Sequence, residues 1–414
     1  MTVQIFPPLT IPETLAAGPG PGNTDARVLQ AFAGAGVADH MQGDVLRGMI
    51  ECKSMLRAIW GTQNTYTFAV AGTGFSGLDA MFAAVMPGDK VVAFANGTFS
   101  GIDALTLRIK AATREELAAD ALDPKAASVA VIEVPHGQSV TGDLVEAALA
   151  EHKPKWAFMA HWETGSGRIN DIRGFSDACE RHGVMGLVDA VSSLGVEDFS
   201  IDDYPGVAGW ASCPQKGLCC LPLTYAPVSF SDAYIASLNA TGAYTYVHNP
   251  IFEARHWGIV DGHDVEKGTY HRTHSGYAVA ALHESLRLTL QEGISARAAA
   301  YAHHEAALRD AVTALGCKVT SDMTSLVVLN LPDELAGREM ELVQACRAAG
   351  FGIWPTLSEP VQVRIGILNQ LKPTAIREIV RRFAGAMRAL GADADPAVAD
   401  ARLDEHYAGA VAAE

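Results

Sequence analysis

Residues 186–218 run GLVDAVSSLGVEDFSIDDYPGVAGWASCPQKGL. Two short apolar runs stand in this stretch. Gly186-Leu187-Val188 ends on an acid, Asp189, and 207–212 ends at the break Cys213-Pro214-Gln215, one residue before Lys216. Runs of this length, bounded by turn residues and rich in apolar side chains, suit buried strands. Neighbouring strands of an open α/β sheet deliver their C-terminal ends to one crevice, and ligands bind there. The stretch therefore predicts an acid and a lysine facing one pocket.

Working outward, 65–71 is an apolar strand followed by Gly72-Thr73-Gly74-Phe75-Ser76-Gly77 and a helix over 78–86. Further strands are expected over 91–95, 128–134 and 156–161, with helical patterns over 142–150 and 172–182 between them. Strands alternating with helices imply parallel crossovers and a sheet covered on both faces, so the fold class is α/β. Another strand is expected over 221–226, then a polar, aromatic region to about Tyr270. Ahead of the sheet, Gly18-Pro19-Gly20-Pro21-Gly22-Asn23 resists regular structure and suits a surface crossing or an entrance, with helical patterns over 25–33 and 44–60 following. Composition shifts after Thr273: helices over 275–292 and 296–315 precede alternating runs (318–320, 325–329, 362–367) and helices over 337–349 and 374–389. This predicts an N-terminal segment (1–24), a large domain (25–272), a smaller C-terminal α+β domain (273–390) and a weakly packed Ala- and Asp-rich tail (391–414).

With 414 residues, 49% of them hydrophobic and 19% charged, the chain can bury a large core. A net charge of −16 with no clustered Lys and Arg argues against nucleic-acid binding, and it means an anionic ligand needs a locally positive pocket. The seven cysteines are scattered, and no CxxC pair accompanies a ligand-spaced His, so thiols in a reducing cytoplasm are expected rather than disulfides or a metal. No run approaches the roughly 20 apolar residues of a membrane span, and no basic start precedes an apolar block. A cytoplasmic protein is expected.

An acid and a lysine at one crevice suit pyridoxal phosphate. The lysine forms a Schiff base with the aldehyde, and the acid keeps a proton on the pyridine nitrogen so that the ring accepts electrons. The glycine turn at 72–77 can bring backbone N–H groups to a phosphate at a helix N-terminus. It also fits G-x-G-x-x-G, so an NAD-dependent oxidoreductase is an alternative. That fingerprint expects an acid at the end of the next strand, where this chain has Asn96-Gly97-Thr98-Phe99.

GPGP at 18–21, AGTGFSGLDA at 71–80, ANGTF at 95–99, HWETGSG at 161–167, VDAVSSLG at 188–195, SCPQKG at 212–217, YHRT at 270–273 and VRIG at 363–366 occur in one order. Together they resemble the class V, fold type I, pyridoxal-phosphate-dependent aminotransferases, in particular the alanine– and serine–glyoxylate enzymes. The resemblance implies a large domain with a mostly parallel sheet and a smaller C-terminal domain. It implies Lys216 as the Schiff-base lysine and Asp189 as the partner of the ring nitrogen. Phe99 would stack on the ring, where many members carry Trp. Thr164 would sit near the ring oxygen, and Thr73, Gly74, Phe75 and Gln215 would hold the phosphate. Tyr270 and Thr273 would reach the phosphate of the neighbouring subunit, making an obligate homodimer with shared sites. Arg364 would clamp a substrate carboxylate, since its planar fork suits that group. The implied activity moves an amino group from a small amino acid to a 2-oxo acid such as glyoxylate or pyruvate. The segment 352–360 lacks the Gly-Lys approach common in the glyoxylate enzymes and is also similar to 2-aminoethylphosphonate–pyruvate transaminases. A desulfurase, the lyase-type alternative, normally stacks a histidine where Phe99 stands. Trp162 and Glu163 are further candidates to shape the pocket.

Overall fold

Short apolar runs rich in Val, Ala, Phe and Trp can bury both faces only in the middle of a covered sheet. In the computed structural model, which describes residues 6–11, 14–36, 39–120, 128–266 and 268–408, they do so. Seven strands, β1 (Tyr66–Ala71), β2 (Val91–Ala95), β3 (Val129–Glu133), β4 (Trp156–Ala160), β5 (Met185–Asp189), β6 (Val207–Ala211) and β7 (Tyr225–Phe230), form one sheet in the order β1-β7-β6-β5-β4-β2-β3. Neighbours from β6 through β3 are parallel, and β7 runs antiparallel to both β1 and β6. The fold is thus α/β, with a mostly parallel sheet between helices, as expected.

Two elements differ from the sequence expectation in ways that matter for the site. The helix expected over 78–86 begins inside the glycine turn, as α1 (Gly74–Met81), so its first-turn N–H groups face the edge of the sheet. The strand expected over 221–226 lies instead at Tyr225–Phe230. Cys219 and Leu223 take left-handed backbone angles (φ 53° and 61°), which an extended strand cannot hold, and the chain after Lys216 turns back on itself through a Cys219 N–H bond to the Lys216 carbonyl. The helix after β2, α2 (Thr98–Ala111), ends the set that flanks the site.

Among the described residues there are two large apolar cores and a small third cluster around Val28, Cys220, Ala281 and Leu288. The first surrounds the large sheet, with Trp60, Trp156 and Trp210 buried, and it takes Leu282 and Leu286 from α3 (Gly276–Glu292). Because α3 packs into the first core, the cores divide near Gly293 and not at 272. The second core lies under a four-stranded antiparallel sheet, β8 (Lys318–Val319), β9 (Leu326–Asn330), β10 (Trp354–Pro355) and β11 (Val363–Gly366), in the order β8-β9-β11-β10. Helices α4 (Ile294–Ala314) and α5 (Pro373–Ala389) cover it. The N-terminal segment joins this unit: Leu15–Ala16 pairs in parallel with Phe351–Gly352, and Ala17 is buried in the second core.

The tail expected to pack weakly is, as far as residue 408, a docked helix. In α6 (Pro396–Tyr407) the Asp395 side chain caps the N-terminus, Pro396 stands in the first turn, and Ala399, Leu403 and Tyr407 fall at four-residue spacing on one buried face. The Tyr407 hydroxyl lies 2.8 Å from His304 Nδ1, and Arg377 pairs with Asp404 at 2.6 Å. Ala and Asp dominate the segment, so its composition hides its period. Residues 409–414 lie outside the described residues. Among the described residues no helix is long and apolar enough to cross a membrane, and all seven cysteines are free and buried.

Candidate active site

Parallel strands place all their C-terminal ends on one edge. At that edge the turn after β1 brings Thr73, Gly74 and Phe75, and the helix after β2 brings Phe99. The turn after β4 brings Thr164, β5 ends on Asp189, and the loop after β6 brings Gln215 and Lys216. These eight side chains or turns line one cavity of about 500 Å³.

Lys216 Nζ donates to Ser192 Oγ at 3.0 Å and to Thr164 Oγ1 at 3.3 Å, and it stands 5.3 Å from the centre of the Phe99 ring. Burial holds its pKa below the ordinary lysine value, against the opposing pull of Cys213, Asp189 and Glu163. The N-terminal turn closes over the lysine stem. Gly22 N–H donates to the Gln215 carbonyl at 2.7 Å, and a Cβ on Gly20 (φ +131°) would stand 3.2 Å from Lys216 Cγ. Asp189 is 5% exposed, and its Oδ1 accepts from Val191 N–H at 2.6 Å. Burial lifts its pKa to about 6; the Val191 bond and the Lys216 charge oppose that rise, and the Glu163 charge adds to it.

The start of α1 is prepared for an anion. Thr73 is its N-cap but makes no side-chain cap bond, and its first turn holds no acid. Ser76 N–H bonds back to the Thr73 carbonyl at 2.9 Å, but the Gly74 and Phe75 N–H groups take no partner among the described residues, and with the helix dipole they favour a phosphate there. The glycines make the approach possible: a Cβ on Gly72 (φ +131°) would fall 2.0 Å from Ser76 Oγ, and one on Gly74 would fall 2.9 Å from Val191 Cγ2. Gln215 Oε1 is buried with no hydrogen-bond partner. An amine, a buried acid, an aromatic face and an anion-ready helix end in one cavity fit pyridoxal phosphate. The G-x-G-x-x-G turn that also suits a dinucleotide belongs to this same cavity.

No family model matches the chain. The alanine–glyoxylate aminotransferase of Oryctolagus cuniculus is 31% identical over 290 residues, spanning 69% of this chain and 68% of that protein. This chain belongs to the alanine–glyoxylate aminotransferase family. Among solved structures, an alanine–glyoxylate aminotransferase from Nostoc sp. has a TM-score of 0.82 at 26% identity, covering 93% of this chain and 98% of that one. The ureidoglycine–glyoxylate aminotransferase of Bacillus subtilis shares the fold, with a TM-score of 0.84 at 21% identity and 97% and 100% coverage. The protein is an enzyme, a pyridoxal-phosphate-dependent aminotransferase.

In this aminotransferase Arg364 does not line the cavity but stands behind it. It is 2% exposed in β11, donating through Nε and Nη2 to the Pro355 carbonyl (3.1 and 2.8 Å) and through Nη1 to the Thr164 carbonyl (2.9 Å). Three of its five N–H donors are thereby engaged. Burial lowers its pKa to about 10, with Glu163 as the opposing charge. Tyr270 (60% exposed) and Thr273 are on the surface and outside the cavity of their own chain.

Two neighbours, Ser192 and Asp103, escape a reading of sequence alone, and the two further candidates, Trp162 and Glu163, divide. Ser192, which accepts the Lys216 bond, sits inside the VDAVSSLG motif, and that motif is the signal that could have found it. Trp162 lines the cavity. Glu163 does not line it; fully buried, it accepts from Ser100 N–H and Oγ (both 2.7 Å) and from Gly165 N–H (2.6 Å), fixing the start of α2 against the turn after β4. Asp103 also lines the cavity, one helical turn beyond Phe99.

Proposed function

We infer that this aminotransferase moves an amino group from a small amino acid to a small 2-oxo acid such as glyoxylate or pyruvate, with Lys216 and Asp189 as its catalytic pair. The observation that carries the reading is the meeting of a buried lysine, a buried acid and an anion-ready helix end in one cavity. Bound there, pyridoxal phosphate supplies an aldehyde that condenses with amines and a ring that accepts the electron pair released at the amino acid's Cα.

The residues divide the remaining tasks. Thr73, Gly74, Phe75 and Gln215 hold the phosphate, and Phe99 covers one ring face. Thr164 stands beside the lysine. Asp189 holds a proton on the ring nitrogen. Lys216 would hold the aldehyde through its Nζ until an amino donor takes its place. Its Nζ, held below the ordinary lysine pKa by burial, then takes the Cα proton and returns it in the second half of a ping-pong cycle. Arg364 holds the α-carboxylate through the donors its carbonyl partners leave open. Tyr270 and Thr273, exposed on their own chain, complete the phosphate site of a second subunit in a homodimer.

Lys216→Ala tests the core of this reading: visible absorption of the bound cofactor and turnover should both vanish, and a variant that still transaminates would overturn it. Single half-reactions with amino acids, aminoalkylphosphonates and 2-oxo acids identify the donor and acceptor. The phosphonates belong in that panel because a 2-aminoethylphosphonate–pyruvate transaminase of Pseudomonas putida is 22% identical over 89% of the chain.

A further inference from the structure

Asp103 is the one acid in the cavity wall to which no task has yet been given. It is 1% exposed, lies on the face of α2 that carries Phe99 one turn earlier, and its Oδ2 has no hydrogen-bond partner among the described residues. A buried carboxylate without a donor or a counter-ion is costly, so such a group takes up a proton. Burial, then the Asp189 charge, then the Glu163 charge push Asp103 well above the usual carboxylate range, while Lys216 pulls it down. Glu163 cannot take the Asp103 proton readily, because both its oxygens already accept N–H and O–H bonds. Arg364 does not balance Asp103 either, its charge being set against Glu163 and two carbonyls. Asp189 is different: its Oδ1 accepts one bond from Val191, and among the described residues no donor reaches its other oxygen.

We propose that Asp103 is a positioning residue for the cofactor's ring nitrogen, a neutral carboxylic acid that donates its O–H to Asp189 and so keeps Asp189 ionised. The proton stays on Asp103 throughout; no bond is made or broken. Burial alone disfavours an ionised Asp189, and a protonated Asp189 cannot hold a ring N–H. A hydrogen bond to the charged form of an acid favours that form, so the paired acid extends toward lower pH the range in which the site holds its cofactor. This rests on the reading that Asp189 faces the ring nitrogen.

The test uses pyridoxamine phosphate, which carries no aldehyde and forms no bond with Lys216. Its dissociation constant is measured on cofactor-free protein from pH 5 to 8 by quenching of tryptophan fluorescence, Trp162 being in the cavity wall. Asp103→Ala removes the donor, and Asp103→Asn keeps a donor without a titrating proton. The acid limb of the binding profile should move up by about one pH unit in Asp103→Ala, with affinity near pH 6 about tenfold weaker. Asp103→Asn should follow the wild type. Asp103→Ala with the wild-type profile, or Asp103→Asn sharing the shift of Asp103→Ala, overturns the proposal. Wild-type protein that binds no pyridoxamine phosphate at any pH brings down the cofactor reading itself.

Discussion

The cavity wall built by the large sheet and the strand of the small sheet that stands behind the cavity hold their charges differently. On the first, Asp189 accepts a single backbone bond and Lys216 leans on two hydroxyls, so both charges stand with little to balance them. On the second, Arg364 sits in the middle of a strand with carbonyl oxygens on three of its N–H groups, one of them from the turn after β4. Strand ends can leave a charge waiting for its partner, whereas a mid-strand arginine has to be satisfied before any ligand arrives. On the proposed reading the cofactor side is preset and the substrate side is engaged: a carboxylate that reaches Arg364 would compete with the bond that ties it to Thr164.

Asp189→Asn probes the preset wall and should have the largest effect. It keeps the shape and the bond from Val191 but cannot carry the charge that balances a ring N–H. Breaking a buried pair of this kind costs about 3–5 kcal/mol, which is on the order of 10²- to 10⁴-fold in the rate of the first half-reaction. In cofactor-free protein the sign reverses. With its folded pKa raised to about 6, Asp189 favours the fold only while protonated. That contribution is complete below the unfolded value, near 4, and is lost as pH rises through the folded one. At pH 8 the variant should therefore be more stable than the wild type by roughly 2–3 kcal/mol, read as a higher melting temperature. A variant that is slow but no more stable would show that the wall is not strained when empty.

The same contrast explains what could be read in the sequence. Lys216, Asp189 and the phosphate turn are legible because each closes an apolar run, and parallel strands must bring such ends together. Asp103 is not: within TFSGIDALTLRIKA a single acid looks like part of a solvated face, and only its four-residue offset from Phe99 points inward. Arg364 is legible as an arginine too buried to be idle, but its carbonyl partner at Thr164 is 200 positions away in the chain. The strand misplaced to 221–226 failed on backbone angle, since nothing about Leu223 announces a left-handed φ. The helix over 396–407 is hidden because one of its three buried residues is an alanine among other alanines, so that only Leu403 and Tyr407 mark the face.

Arg364→Lys probes the engaged wall. Lysine keeps the charge and loses the fork, so the amino donor gives up one charged hydrogen bond, worth about 1.5–3 kcal/mol. That is about 10- to 100-fold in kcat/KM for the amino acid, with the affinity for pyridoxal phosphate unchanged. A loss that falls equally on cofactor affinity would mean that Arg364 shapes the whole cavity and that the two walls are not independent.

The smallest effect is expected where neither wall is complete. Tyr270 is exposed and touches nothing in the cavity of its own chain, so in the proposed homodimer it serves the site of its partner. On the proposed reading Tyr270→Phe removes one phenol-to-phosphate hydrogen bond and should weaken cofactor binding by about tenfold, near the lower end for a hydrogen bond to a charged group. Mixed dimers decide whether that bond crosses subunits. A Lys216→Ala chain brings an intact Tyr270 but no lysine; a Tyr270→Phe chain brings the lysine but no phenol. Refolded together, the second chain's site borrows the first chain's tyrosine, and covalent cofactor binding returns to wild-type affinity in the mixed dimers. If mixing restores nothing, the phenol acts within its own chain or not at all, and the cavity needs no second subunit to be finished.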